Sequence, residues 1–465
     1  RSSFLIKARF MNFTNKFVQI YKALLPSPFT IAVVLSFFAF ILALIFGTGI
    51  EGEFKPYTIL TYWEKGLWDK NLLVFAMQMM LMLVLGHVLA ISKPVSHFIS
   101  TIVQHLNSSS KAAAWVSFFT IIVGLFNWGL GLIFGAIMAR KVAEEAHKQN
   151  WKINYPLIAA AGYTALMVWH GGFSGSALTK VAEPGHLATL SSNGKIWLSL
   201  PDSIPYNLTV FSGLNITTTF LLITLVPIAM YWIGSKSVPT KIELRTNFKT
   251  DQVELIQGAE RLDHSRVLGI SIGIIILGFA IHKMFWVTGF EKYFTPNNIN
   301  LFLLGLGILF HSNFYNFLKA IDSAISGAAG ILIQFPLYFG IMGIMKHSNL
   351  INQFADFIAS VSNPDSFTFF TFLSAGVVNI LVPSGGGQWA IQGPLLIQSA
   401  QEIGAPLAKN ILAFAYGDQL TNMLQPFWAL PLLGITGLKA KQILPYTLFL
   451  FCIGLVIFLF TLWIY

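Results

Sequence analysis

The chain has 465 residues, of which 55% are apolar, 14% aromatic and only 10% charged, with a net charge of +10. A soluble domain carries about 25% charged residues, so the composition excludes that class and predicts an all-α polytopic membrane protein. The 29 Lys and Arg are scattered over loops without forming a stripe, which argues against a nucleic-acid partner, and the single Cys452 rules out an intramolecular disulfide.

In chain order, residues 1–28 come first. Phe10, Phe13, Phe17, Ile20 and Leu24 repeat at helical spacing opposite Arg9, Lys16 and Lys22, the pattern of an amphipathic helix lying on a membrane surface. No cleavable signal is evident, because the apolar run from near Phe29 is of membrane length and lacks a small-residue cleavage site after it. Runs long enough to span follow at roughly 29–50, 71–92, 153–179, 207–234, 266–288, 298–312, 320–345, 407–438 and 443–465.

Two further runs, about 112–138 and 366–395, are interrupted by glycine. If each enters and leaves on one side, the N-terminus and the loops 93–111, 139–152, 235–266, 312–319 and 437–442 share a face that holds 20 of the 29 Lys and Arg. The positive-inside rule then favours two re-entrant hairpins and a cytoplasmic N-terminus. The loop 235–266 becomes a cytoplasmic linker between a first repeat, 29–234, and a second half, 267–465.

The halves resemble each other. FFTIIVGLFNWG (Phe118 to Gly129) aligns with FFTFLSAGVVNILVPSGGG (Phe369 to Gly387), pairing Asn127 with Asn379. Upstream, each half has an apolar run bearing a glutamine (Gln78, Gln334), then a short polar, surface-lying segment. Downstream, each has a run broken by Gly and polar residues, about 153–179 and about 407–438. The expected fold is therefore two inverted-topology repeats, each with a re-entrant helical hairpin and a broken transmembrane helix, the arrangement of alternating-access carriers.

Non-helical backbone at membrane depth must face protein or a watery cavity. Three glycines between two prolines in VPSGGGQWAIQGP (Val382 to Pro394) expose amides at the start of a half-helix, where dipole and N–H groups suit a carboxylate. Ser384, Gly385, Gly386, Gly387 and Gln388 are the expected ligands, with Trp389 as an apolar wall. The opposite hairpin offers Asn127, Trp128 and Gly129, with Asn379 as a further polar group. Gly131 and Gly135 serve either this site or close helix packing. Neither tip carries Lys or Arg, which favours a small monoanion over a dicarboxylate or a phosphate ester.

Asp418 is the sole acidic residue well inside an expected span, and an intramembrane carboxylate is by default functional. With Thr421 and Asn422 it would bind Na⁺ or carry a proton; a structural acid bonded to a neighbouring helix is the plainer alternative. His170 is its counterpart in the first half, read either as a satisfied structural residue or as a proton carrier. Ser174, Ser176 and Thr179 add hydroxyls in the same break. Hydroxyl, amide and backbone oxygens suit a hard cation such as Na⁺, and no cofactor or transition-metal site is expected.

FNWGLGLIFGAIMAR (Phe126 to Arg140), WHGGFSGS (Trp169 to Ser176), VPSGGGQWAIQGP and AYGDQLTNMLQPFWALP (Ala415 to Pro431) closely resemble the bacterial short-chain fatty acid transporter family, typified by an acetoacetate/butyrate permease. The likeness runs over nearly the whole chain from LLPSPFTIA (Leu24 to Ala32) onward. It implies an inner-membrane secondary transporter within the ion-transporter superfamily, a homodimer working by an elevator motion, with a short-chain carboxylate as substrate and a Na⁺ or H⁺ partner. Superfamily relatives often carry Ser-Asn-Thr triplets at the tips, and here the tips read Asn127-Trp-Gly and Pro383-Ser-Gly-Gly-Gly, which leaves the coupling ion open. A dicarboxylate carrier, a passive anion channel and an intramembrane enzyme built on His170 with Ser174 are the competing readings.

Overall fold

The computed structural model describes residues 28–48, 55–190, 200–240, 258–425 and 428–465, and the amphipathic helix expected over 1–28 and most of the 235–266 linker lie outside them. The described residues form helices α1 (Pro28–Phe46), α2 (Lys55–Leu67), α3 (Lys70–Ala90), α4 (Lys93–Val103), α5 (Ser109–Phe126), α6 (Trp128–Lys148), α7 (Tyr155–Ala161), α8 (Ser176–Val181), α9 (Gly213–Lys236) and α10 (Arg266–His282). After these come α11 (Pro296–His311), α12 (Phe314–Ile325), α13 (Ala329–His347), α14 (Leu350–Val361), α15 (Pro364–Leu381), α16 (Gly385–Ile403), α17 (Leu407–Thr421), α18 (Leu430–Thr436) and α19 (Ala440–Ile464). A few one-turn helices fill the connections.

Short polar residues set where these helices begin. Asp69, Ser108, Asn154, Ser212, Asn313 and Asn363 each cap a helix by accepting a backbone N–H of its first turn, satisfying donors that would otherwise be orphaned in an apolar setting. Among the described residues, α3, α5, α9, α10 continued to Val287, and α19 are long and apolar enough to cross a membrane. Large apolar side chains such as Phe37, Val267, Ile274 and Phe279 stay exposed, as helices facing lipid require.

One order recurs along the chain: long helix, short helix, two hairpin arms, broken helix, long helix. It runs α3, α4, α5, α6, α7/α8, α9, and again α13, α14, α15, α16, α17/α18, α19. Corresponding contacts recur too, with α6 packed on α3 and α16 on α13, α9 on α5 and α19 on α15. The two sets interlock, since α18 packs on α6 while α8 packs on α16 and α17.

The glycine-interrupted runs are hairpins longer than their apolar cores. Gly124 and Gly131 face each other across the Asn127 turn, and a Cβ on Gly131 would lie 2.6 Å from Gly124 Cα. Gly135 and Gly162 approach so closely that a Cβ on either would meet the other's carbonyl oxygen at 2.0 or 2.4 Å. These glycines are close-packing positions.

Three segments differ from the sequence reading. The stretch 55–67, which falls between the expected spans 29–50 and 71–92, is α2, held to α13 where Gly66 and Gly343 meet the opposing backbone. Residues 314–319 of the expected loop 312–319 belong to α12, which leaves α11 at a 120° bend. The run 320–345 is divided by a 3-10 turn at Ser326–Ala328, so its long helix starts at Ala329.

Candidate functional site

Each hairpin turns through one or two extended residues. Asn127 (φ −151°, ψ 128°) caps α6 by accepting the Leu130 N–H at 2.7 Å. The adjoining Trp128 N–H donates to Ser174 Oγ at 2.9 Å, tying this tip to the broken helix of its own half. At the second tip Ser384 (φ −156°, ψ 108°) caps α16 through Gly387 N–H at 3.4 Å.

The three glycines that follow are pressed against aromatic rings. A Cβ would lie 2.5 Å from Trp169 Cη2 at Gly385, 2.9 Å from Phe335 Cε2 at Gly386, and 2.5 Å from Tyr338 Cδ2 at Gly387. Absence of a side chain lets ring and backbone touch.

The broken segments meet between the tips. Residues 168–175 leave helical geometry and dock on the end of α5, with Phe173 N–H donating to Leu125 O at 2.7 Å. Gln419 Oε1, on α17, accepts the N–H groups of His170 (2.9 Å) and Gly171 (3.2 Å). The buried imidazole of His170 contacts the buried carboxylate of Asp418 through Nδ1 and Oδ2. Its Nε2 lies 3.0 Å from the N–H of Ala177, which can only donate, so Nε2 accepts and the ring proton sits on Nδ1 facing Asp418.

Asp418 Oδ1 is buried without a partner among the described residues, as are the side-chain oxygens of Asn379 and Gln425. The amide groups of those two residues are committed elsewhere. Asn379 Nδ2 donates to Asp418 O (2.7 Å), Thr421 Oγ1 (2.9 Å) and Asn422 Oδ1 (3.2 Å), and Gln425 Nε2 donates to Asn379 O (2.7 Å). The cluster is thus rich in unpaired oxygen, the chemistry of a hard-cation or proton site.

A narrow cavity of about 20 Å³, the scale of a single water site, adjoins this cluster. Met79, Leu166 and Phe335 give it an apolar side; Trp128, Trp169 and Trp428 supply indole rings; Ser176, Ser384, Gly385, Gly386 and Asn422 complete it. None of these carries a charge. The indole N–H groups of Trp128 and Trp169 are buried without an acceptor among the described residues, whereas that of Trp428 donates to Pro383 O at 2.8 Å. The amides of Gly385 and Gly386 open α16, where no carbonyl of the preceding turn can reach them.

Of the residues singled out in the sequence, Trp128, Ser176, Ser384, Gly385, Gly386 and Asn422 border the cavity. Asn127 and Ser174 support it from behind. His170, Asn379, Asp418 and Thr421 join Asn422 in the oxygen-rich cluster. Four point elsewhere: Gly129 packs against the Leu83 backbone and Gly387 against Tyr338. Gln388 bonds Ala375 O at 2.8 Å within its hairpin. Trp389 is fully buried on Phe414, with Nε1 donating to His186 Nε2 at 3.0 Å.

His170 and Ser174 do not bond to each other: the ring nitrogens go to Asp418 and Ala177, and Ser174 Oγ accepts from Trp128. Trp169, Trp428, Gln419 and Gln425 lie in the quoted motifs and were not singled out. Their signal was the density of polar and aromatic residues around each break. Met79, Leu166 and Phe335 gave none, being apolar residues in apolar helices.

The family model described as "Short chain fatty acid transporter" matches residues 9–465. A candidate short-chain fatty acid transporter of Haemophilus influenzae is 38% identical over 462 residues, covering 97% of each chain. Another, from Escherichia coli, is 36% identical over 468 residues, covering 97% of this chain and 99% of its own. Among solved structures, the Neisseria gonorrhoeae MtrF protein aligns with a TM-score of 0.58 at 16% identity, covering 96% of this chain and 97% of its own. The Alcanivorax borkumensis YdaH transporter, noted for an unusual topology, aligns with a TM-score of 0.54 at 15% identity, covering 94% and 98%. At such identity these two establish the fold alone.

Proposed function

The chain belongs to the short-chain fatty acid transporter family, and from that premise we propose that it carries short monocarboxylates such as acetoacetate and butyrate across the bacterial inner membrane, coupled to Na⁺ or H⁺. The observation that carries the substrate reading is the donor set at the cavity. Trp128 and Trp169, each with a buried indole N–H that has no acceptor among the described residues, line the same space as Ser384, Gly385 and Gly386. Donors without a facing protein carboxylate suit an anion, and the dipole of α16 adds to them. Met79, Leu166 and Phe335 suit a short apolar chain. The uncharged lining fits a monocarboxylate better than a dicarboxylate, which would call for a cation beside each carboxylate.

Asp418, with Asn379, Thr421, Asn422 and Gln425, is the proposed seat of the coupling cation or proton, and His170 fixes the carboxylate's orientation. The recurring helix order supports two repeats, and the 20 of 29 Lys and Arg on one set of loops support their inverted topology, re-entrant hairpins and a cytoplasmic N-terminus. In this reading the hairpins and broken helices move together against the remaining long helices in an elevator motion, within a homodimer. Such a change needs substrate to bind the two states unequally.

Uptake of labelled butyrate and acetoacetate into proteoliposomes, with Na⁺ and pH gradients imposed separately, tests all of this. Uptake following one gradient is expected, and which gradient it follows identifies the ion. Absence of uptake under either gradient refutes the proposal. Counterflow of labelled butyrate separates a carrier from a passive channel.

A further inference from the structure

Neither hairpin tip carries a cation, yet one stands close to the cavity. Lys180 lies on α8 one helical turn beyond Ser176, a cavity wall, and on the same helix face. Its ammonium is ion-paired with Glu183, sits 3.4 Å from Gln78 Oε1, and lies 5.5 Å from the centre of the Phe75 ring. That ring also reaches the glycine tip, since a Cβ at Gly386 would lie 3.0 Å from Phe75 Cζ. One aromatic layer therefore separates the ammonium from the glycines that open α16.

The two partners differ in access to water: the Lys180 side chain is 8% exposed and that of Glu183 is 22%. Gln78 Nε2 approaches Glu183 Oε1 at 3.4 Å and is anchored by Asn297 Oδ1 at 3.0 Å. A polar clamp thus holds a carboxylate against a buried ammonium beside an anion-suited cavity.

We propose that Lys180 is a docking residue for the substrate carboxylate at the approach to the cavity, and that Glu183 occupies that place until substrate arrives. The inference rests on the monocarboxylate reading above and deepens it. An ammonium at this depth requires an anionic partner. An incoming carboxylate can replace Glu183 without leaving Lys180 unpaired, because Glu183 is the partner able to return to water. Gln78, which bonds to both members of the pair, remains in place to meet whichever carboxylate is there. From Lys180 the substrate has only to pass the Phe75 ring to reach the indole and glycine donors.

Glu183→Gln keeps the shape and the bond to Gln78 while removing the competing charge, and Lys180→Gln removes the dock. The test is calorimetric binding of butyrate, and of its neutral isostere butyramide, to the purified full-length protein and both variants. Glu183→Gln is expected to tighten butyrate binding about threefold, and Lys180→Gln to weaken it about tenfold, the scale of one charge-assisted hydrogen bond. Butyramide binding should be the same in all three proteins. An ion pair that only stabilises the fold would shift both variants in one direction, or shift butyramide as much as butyrate, and either result overturns the proposal. Should Lys180→Gln fail to fold, Glu183→Gln decides alone, and unchanged or weaker butyrate binding counts against the dock. Wild-type protein that does not bind butyrate overturns the transport reading as well, whereas wild-type binding without the opposed shifts overturns only the docking role.

Discussion

His170 and Asp418, 248 positions apart in sequence, join the two broken helices through a buried imidazole–carboxylate contact. With Nε2 held by the Ala177 N–H at 3.0 Å, the imidazole can offer Asp418 only the proton on Nδ1. The second carboxylate oxygen has no partner among the described residues. One half of the carboxyl group therefore serves structure, and the other is the half that the proposed cation or proton would use.

This division predicts unequal effects of substitution. Asp418→Asn should abolish gradient-driven uptake while the protein still inserts and purifies as folded material. His170→Phe alone should be destabilised by about 3–5 kcal/mol, the cost of leaving a buried charge unpaired. The double variant His170→Phe/Asp418→Asn should recover part of that loss. Thermal unfolding of the four proteins in one detergent completes the cycle, and a double variant as unstable as the sum of the singles would remove the contact from consideration.

The indole donors are testable without disturbing their rings. Trp128→Phe and Trp169→Phe each delete one N–H from a residue of the cavity wall and should raise the KM for butyrate about tenfold or more, the scale of about 1.5–3 kcal/mol for a hydrogen bond to a charged acceptor. Maximal uptake should change much less. Trp389→Phe, whose N–H goes to His186 at 3.0 Å, should leave that KM within about twofold of wild type, since it loses no cavity donor. Concentration-dependent uptake in proteoliposomes distinguishes the three.

At the glycine tip, a methyl on Gly387 would sit 2.5 Å from Tyr338 Cδ2. Gly387→Ala should cut uptake strongly because ring and backbone cannot both stay in place, at a packing cost of about 1–3 kcal/mol. Adding Tyr338→Leu, which removes the clashing ring, should restore part of the activity. A double variant no better than the single would show that something other than this contact requires the glycine.

Glycine packing beneath the first hairpin gives a stability prediction. Gly162→Ala places a Cβ 2.4 Å from Gly135 O and should lower stability by about 1–3 kcal/mol. Gly278→Ala has nothing within 4 Å and should be neutral. Paired thermal melts of the purified variants provide the measurement.

Much of this was legible in the sequence because Gly, Pro, Asn and Ser interrupt helices by known physical means. Asn127 and Ser384 announce the hairpin turns, and Trp169 to Ser176 and Ala415 to Pro431 announce the breaks. The facing of residues beyond the turns was not legible, because helix rotation and inter-helix packing fix it. Trp389, one turn into α16, is drawn to Phe414 and His186, while Trp169 and Trp428 take the cavity walls. The glycine triplet reads as bare backbone for a ligand, whereas the rings of Trp169, Phe335 and Tyr338 show that close packing uses it as well. Lys180 escaped notice because it lies outside both tips, brought near the cavity only by the fold of α8 against α3. Helix α2 and the first half of α12 lie outside the expected spans because their polar residues interrupt the apolar runs, and tertiary contact outweighs composition there.

Asn422 borders the cavity while its Oδ1 receives Asn379 from the oxygen-rich cluster at 3.2 Å. One side chain thus belongs to both compartments. If the two ligands bind as proposed, whatever factor butyrate imposes on the cation's affinity, the cation must impose on butyrate. The size of that shared factor can then be obtained by titrating either ligand alone and again with the other saturating, and Asn422 is the side chain whose replacement should bring it toward unity.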